Sequence, residues 1–188
     1  MLVVGVGQSS RVGKDTFSDM LAAELRGLVG WVYRDAFADR LKAHCREAYT
    51  WAGLRDRHYY NRRPEERTVV LPALGKTPVE VWVEVGNALR GVYSDTWVDL
   101  LFASYGPHAN LVISDVRFPN EAKSILDRGG YLVKVTRPSV TVKHGSDEMI
   151  PEDSTIWDYR AANDGSLDRL RAQAKRIAKD IVRRRSEP

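Results

Sequence analysis

The sequence predicts an α/β fold, a parallel sheet with helices packed on its faces. Three observations carry that reading. An apolar run, Leu2-Val3-Val4-Gly5-Val6, leads through a glycine-bearing turn into a helix-compatible stretch, Phe17 to Leu25. A second continuous apolar run, Leu111-Val112-Ile113, stops at Ser114-Asp115, as a strand buried on both faces does. Elsewhere, stretches with apolar residues spaced by three and four alternate with short strand-like runs, the pattern of strand–helix–strand units.

The turn after the first strand reads Gly7-Gln-Ser-Ser-Arg11-Val-Gly13-Lys14-Asp15-Thr16. Strand, glycine loop, Gly-Lys and helix is the arrangement that binds phosphate. Amides at a helix start lack acceptors and carry the positive end of the helix dipole, and a polyphosphate supplies both the acceptors and the opposing charge. Gly13, without a Cβ, lets the backbone approach a phosphate, and Lys14 adds a point charge. The spacing departs from the strict pattern, because Gln8 stands where a glycine belongs and Gly7 comes one residue early. Asp15 follows the lysine where a Ser or Thr is usual. Either Thr16 takes over the hydroxyl contact to Mg2+, or Asp15 acts through a water.

The remaining elements follow in order. Trp31-Val32-Tyr33 reads as a short second strand after the turn bracketed by Gly27 and Gly30. Ala38, Leu41, Cys45, Ala48 and Tyr49 fall at helical spacing, with Lys42 near the start of that helix. Residues 53–78 are the least regular stretch and carry Arg55, Arg57, Arg62, Arg63 and Arg67. A loop that long and that basic reads as a substrate-binding or lid segment. Thr77-Pro78-Val79-Glu80 is a helix start with the residues of a capping box, and Val79, Trp82, Val85 and Leu89 form its expected apolar stripe. A helix over 94–105 turns Trp97, Leu100 and Leu101 inward. Polar groups at the end of the 111–113 strand place Asp115 and Arg117 beside the phosphate loop, because ligands of such sheets bind beyond the carboxyl ends of the strands. Pro119 opens a helix with Glu121 in its first turn, and Gly129-Gly130 closes it. Tyr131 to Val135 is a further strand leading to Arg137. Residues 141–159 read as a loop in which His144 beside acidic groups is a lone histidine, not a metal site. Asn163-Asp164-Gly165-Ser166 turns and caps a last helix, with Leu167, Leu170, Ala174, Ile177 and Ile181 as its stripe and Arg183-Arg184-Arg185 at its end.

Composition narrows the class. The chain has 188 residues, a length suited to one domain over 1–188, and 43% hydrophobic residues fill a core at that length. No apolar run reaches the ~20 residues of a membrane span. The short apolar start runs straight into the glycine loop, so no leader is expected. A single cysteine, Cys45, excludes a disulfide framework and a four-cysteine zinc site and reads as a small buried residue. A cytoplasmic protein is expected. The net charge of +4 is modest and gives no reason to expect nucleic acid as a partner.

Several blocks, in order, resemble the deoxynucleoside monophosphate kinases of tailed bacteriophages. They are Gly13-Lys14-Asp15-Thr16, Phe37-Ala38-Asp39-Arg40-Leu41-Lys42, Val85-Gly86, Asp95-Thr96-Trp97-Val98, Ser114-Asp115-Val116-Arg117-Phe118-Pro119-Asn120-Glu121, Gly129-Gly130, Val135-Thr136-Arg137-Pro138, His144-Gly145-Ser146-Asp147 and Asn163-Asp164-Gly165-Ser166-Leu167. The Asp-Val-Arg-Phe-Pro-Asn-Glu block is the most specific. The resemblance implies an adenylate-kinase-like, three-layer phosphate-loop fold with a five-stranded parallel sheet. It implies transfer of the γ-phosphoryl of ATP to a deoxynucleoside monophosphate, with Mg2+. By the same resemblance Asp115, Arg117 and Glu121 hold the acceptor, Leu41 and Lys42 contact it, and Gly86 and Trp97 line its pocket. Arg11, Gly13, Asp15, Thr16 and Phe17 match the nucleotide-phosphate loop. The family's arginine ahead of Gly86 is replaced by Val79-Glu80, so Arg90 or an arginine of 55–67 would have to substitute.

The residue reading and the resemblance converge on a catalytic set of Lys14, Asp115 and Arg117. The Gly7–Thr16 loop holds ATP and Arg137 covers it. Asp115 either holds Mg2+ through water or bonds the acceptor's sugar or base. Two rivals stand beside this reading: another small-molecule phosphate-loop kinase, acting on dephospho-coenzyme A or a ribonucleotide, and a nucleotide-dependent nucleic-acid-binding module. A homodimer is left open.

Overall fold

Five parallel strands form one sheet in the order β2-β3-β1-β4-β5. The computed structural model describes residues 1–7, 12–138, 150–151 and 154–187. The strands are β1 (Val3–Gly7), β2 (Val32–Ala36), β3 (Asn110–Val116), β4 (Tyr131–Thr136) and β5 (Tyr159–Ala162). Between them run α1 (Lys14–Val29), α2 (Phe37–Tyr49), α3 (Arg57–Arg62), α4 (Pro78–Val92), α5 (Thr96–Ala103) and α6 (Pro119–Leu126), with α7 (Leu167–Ser186) last. The chain groups into two compact units, Met1–Ala36 with Tyr105–Pro188, and Phe37–Ser104.

In the first unit β1 is central and its residues are all buried. Alternation sorts them by face. Val4 and Val6 join Phe17, Leu21 and Leu25 of α1 and Leu170, Ala174, Ile177 and Ile181 of α7 in one core. The other face takes α6: a Cβ on Gly5 would lie 2.6 Å from Cδ1 of Ile125, so only glycine lets that helix pack so closely. The fifth strand is not an apolar run, since Arg160 within it is exposed. Pairing with β4 makes it a strand, with Val133 opposite Tyr159 and Thr136 opposite Ala162. In the stripe of α7 the structure replaces Leu167, which is exposed, with Ala178.

The second unit is built on Cys45, Leu54, Tyr60, Val81 and Trp82. The stretch 53–78, irregular in sequence, acquires order here. Asp56 caps α3 by accepting from the amide of Tyr59, and a 3-10 turn follows at Pro64–Thr68. Leu54 and Tyr60 anchor it in the unit's core. On α4 the capping box between Thr77 and Glu80 forms as expected. Its buried face runs through Pro78, Val81, Trp82 and Gly86, with Val79 at the margin and partly exposed, because a turn of 100° per residue centres the stripe on Trp82 rather than Val79. On α5 Val98 is buried with Trp97 and Leu101, whereas Leu100 faces out. No helix among the described residues is long and apolar enough to cross a membrane.

Candidate functional site

Three helices begin with a side chain that caps them, supplied by Asp56, Thr77 and Ser166. Helix α1 begins with none. Its N-cap is Gly13, at φ 91° and ψ 23°, a left-handed conformation that favours glycine. The first amides of α1 therefore receive no side-chain acceptor from their N-cap. Gly13 has a second reason to be glycine: a Cβ there would lie 2.5 Å from Nδ2 of Asn163. That same Nδ2 donates to the carbonyl oxygen of Val12 at 2.9 Å, and Val12 is itself buried in the core. The end of β5 thus braces the entry to α1.

Strands β1 and β3 are neighbours, and their register slips at the carboxyl end. Val6 pairs with Ser114, but Gly7 pairs with Val116. Asp115 is the extra residue of a β-bulge, and its φ of 68° is the only positive value on a non-glycine residue among those described. An ordinary strand would alternate Asp115 to one face of the sheet. The bulge aims it instead at Lys14, whose Nζ lies 3.2 Å from Asp115 Oδ1. On the same oxygen Arg117 Nε donates at 2.8 Å. Lys14 is buried, and Asp115 and Arg117 are partly so. Burial acts to raise the Asp115 carboxyl, yet the Arg117 guanidinium and the Lys14 ammonium outweigh it and hold the group below the ordinary carboxylate value. Burial likewise works against the Arg117 charge, and Asp115 more than restores it. The catalytic set read from sequence is therefore assembled at one point.

Glu121 lies behind this point. It is buried, and its Oε2 accepts from the amides of Arg117 at 2.9 Å and Phe118 at 3.1 Å. It fixes the backbone that carries Arg117. Asp15 and Thr16 are both exposed on the first turn of α1. Asp15 is ion-paired to Arg34 of β2, which also reaches Asp19 with Nε at 3.2 Å. Nothing in the sequence linked Arg34 to the loop; parallel pairing of β2 beyond β3 is what brings it there. Phe17 has its side chain in the core and its amide bonded to the carbonyl of Gly13 at 3.0 Å. Gly7 packs under Trp157, whose ring would stand 2.4 Å from a Cβ. Arg11 and His144 fall outside the described residues.

Arg137 is exposed at the end of β4 and lines a cavity of ≈ 300 Å³ with Pro138, Asn163, Asp164 and Gly165. This cavity adjoins the phosphate loop through Asn163, which touches both. The loop after β5 turns the chain and caps α7, and it is also a wall of this cavity.

In the second unit, Leu41, Gly86 and Trp97 come together. Leu41 Cδ2 stands 3.0 Å from where a Gly86 Cβ would be, and Trp97 Nε1 donates to the carbonyl of Gly86 at 3.3 Å. Arg90 Nη1 is 3.6 Å from the same Cβ position, which brings an arginine to Gly86 from one helical turn away. Lys42 Nζ lies 5.5 Å from the centroid of the Trp82 ring and 3.9 Å from Asp39. Three arginines of the 53–78 stretch are engaged locally. Arg57 pairs with Asp39, Arg63 lies over Tyr59, and Arg67 donates to the Tyr60 carbonyl and to Asn61.

No protein-family model matches the chain. The chain is 32% identical to a protein of Acanthamoeba polyphaga mimivirus described as "Putative deoxynucleotide monophosphate kinase", over 92% of its own length and 94% of that protein's. The chain belongs to the deoxynucleotide monophosphate kinase family. Membership fits the sheet, since an uncapped α1 behind a glycine loop and a polar cluster at the ends of β1 and β3 is the arrangement a phosphate-loop kinase requires. Because the relative is a mimivirus protein, membership carries no bacteriophage source with it.

Proposed function

We propose that the protein transfers the γ-phosphoryl group of ATP to a deoxynucleoside monophosphate, giving ADP and a deoxynucleoside diphosphate. The observation that carries this reading is the convergence of Lys14, Asp115 and Arg117 beside the uncapped start of α1. Phosphoryl transfer asks little covalent chemistry of a protein. It asks for two anions held in line and for charge to be neutralised as it moves.

The amides of α1 and the Lys14 ammonium receive the β- and γ-phosphates of ATP. The nucleoside of ATP enters the cavity beside Arg137, whose guanidinium covers it. Arg117 takes the acceptor phosphate, oriented by Glu121 through its backbone. Within the second unit, the family resemblance assigns acceptor contacts to Leu41, Lys42, Gly86 and Trp97, of which Leu41, Gly86 and Trp97 meet. An acceptor phosphate oxygen then attacks the γ-phosphorus, and the bond to the β-phosphate oxygen breaks with ADP leaving. Asp115 keeps Lys14 and Arg117 in place until phosphates compete for them.

Mg2+ fits the residues present. It needs few protein oxygens, because water and substrate phosphates complete its shell. The Thr16 hydroxyl is exposed on the first turn of α1 and makes no hydrogen bond among the described residues, whereas the Asp15 carboxylate is tied to Arg34. Thr16 is therefore the proposed ligand, with Asp15 held back. Held there, Mg2+ would supply charge neutralisation for the phosphates.

The test is coupled ADP release with ATP and each deoxynucleoside monophosphate in turn, against ribonucleoside monophosphates and dephospho-coenzyme A. Acceptor-dependent ADP release with at least one deoxynucleotide is expected. Release with none of them, or with dephospho-coenzyme A alone, overturns the assignment.

A further inference from the structure

We propose that Asn163 is a positioning residue that couples occupancy of the cavity beside Arg137 to the geometry of the phosphate loop. The proposal rests on the ATP-binding reading above and adds to it a residue and a linkage.

Asn163 is fixed from behind. Its amide donates to the carbonyl of Thr136, at the end of β4, at 2.8 Å. The residue before it, Ala162, is held in both directions by the side-chain amide of Gln173 of α7. The Ala162 amide donates to Gln173 Oε1 at 2.9 Å, and Gln173 Nε2 donates to the Ala162 carbonyl at 2.8 Å. From that base a short side chain reaches forward. Nδ2 donates to the Val12 carbonyl and sits over the bare Cα of Gly13. The same residue is a wall of the ≈ 300 Å³ cavity.

One rigid amide therefore stands between a space for a nucleoside and the two residues that set the direction of Lys14 and the first amides of α1. A group filling the cavity restricts Asn163. The restriction passes to Val12 and Gly13 through one hydrogen bond and one close contact. A polyphosphate then meets a loop already ordered, so the two ligands bind with positive coupling. A merely structural Asn163 would lower stability without linking the two.

The experiment uses the full chain, with adenosine and inorganic tripolyphosphate as separate probes in titration calorimetry. It compares wild type with Asn163→Asp and Asn163→Ala. Asn163→Asp keeps the shape over Gly13, but its carboxylate cannot donate to the Val12 carbonyl. In wild type, saturating adenosine tightens tripolyphosphate about five- to ten-fold, within the usual range of coupling between sites. In both variants that gain falls to about one-fold, and KM for ATP rises about ten-fold while KM for the monophosphate is unchanged. Persistence of the full coupling in Asn163→Asp, with wild-type turnover intact, overturns this assignment alone. Wild-type protein that binds neither probe overturns it together with the ATP reading. Circular dichroism confirms that the variants compared are folded, and Asn163→Ala serves should Asn163→Asp fail to fold.

Discussion

Lys14 Nζ lies 3.2 Å from Asp115 Oδ1, although one residue opens α1 and the other interrupts β3. The contact exists because Asp115 is a bulge residue with φ 68°. Such a backbone costs about 1–3 kcal/mol on a non-glycine residue. Two cations on one carboxylate offset that cost and hold both positive groups at the start of α1.

Lys14→Ala is expected to lower turnover by about 10²–10³ while the fold persists. Its effect on acid stability has a definite sign. Asp115 has a folded-state pKa below its unfolded value, so its contribution is present above the unfolded pKa and is lost as pH falls through the folded one. Removing Lys14 removes one of the cations that depress it. The variant should lose stability at higher pH on acidification than wild type, read from urea midpoints over a pH series. An unchanged acid limb would show that Lys14 does not act on Asp115.

Arg117→Ala should weaken the monophosphate more than ATP. Direct titration with each nucleotide separates the two. Equal affinity of variant and wild type for the monophosphate would reassign Arg117 to holding Asp115 alone.

Arg90→Ala should raise KM for the monophosphate, because Arg90 is the arginine that stands beside Gly86. Arg67→Ala is the comparison. Its side chain holds the Tyr60 carbonyl and Asn61, so stability should fall by about 1 kcal/mol with KM unchanged. A reversed pattern would move the acceptor contact to the 53–78 stretch.

Cys45 is fully buried, and burial pushes its thiol from 9.0 up to about 11. A folded pKa raised above the unfolded value stabilises below the unfolded pKa, and that stability is lost as pH rises through the folded one. Wild type should therefore lose about 2 kcal/mol relative to Cys45→Ala between pH 9 and 11. Denaturant midpoints measure this, and the native thiol should resist an aromatic disulfide reagent at pH 8 until the protein is unfolded. Rapid labelling of native protein would show Cys45 to be accessible.

Local signals carried the sequence reading where chemistry and period coincide. Thr77 and Glu80 cap α4 because a hydroxyl three residues before a carboxylate meets the amides of a helix start whatever surrounds it. Gly-Lys between an apolar run and a helix located Lys14, and Ser114-Asp115 after an apolar run located the end of β3. Signals failed where neighbours decide. Tyr159–Ala162 is a strand only because β4 offers its edge, and Leu167 and Val79 lie at the margins of stripes whose centres are set by the opposing surface.

What the sequence determined alone is the inventory: a parallel α/β fold, a Gly-Lys turn after its first strand and the residue types of the candidate site, because capping, periodicity and strand length are properties of a few adjacent residues. What only the tertiary structure decided is which of those residues meet. The bulge that turns Asp115 to Lys14, the pairing of Arg34 with Asp15 and the reach of Asn163 to Val12 join positions far apart in the chain. Such contacts follow from strand order and register, which arise from the packing of the whole sheet and leave no mark in any short stretch of sequence.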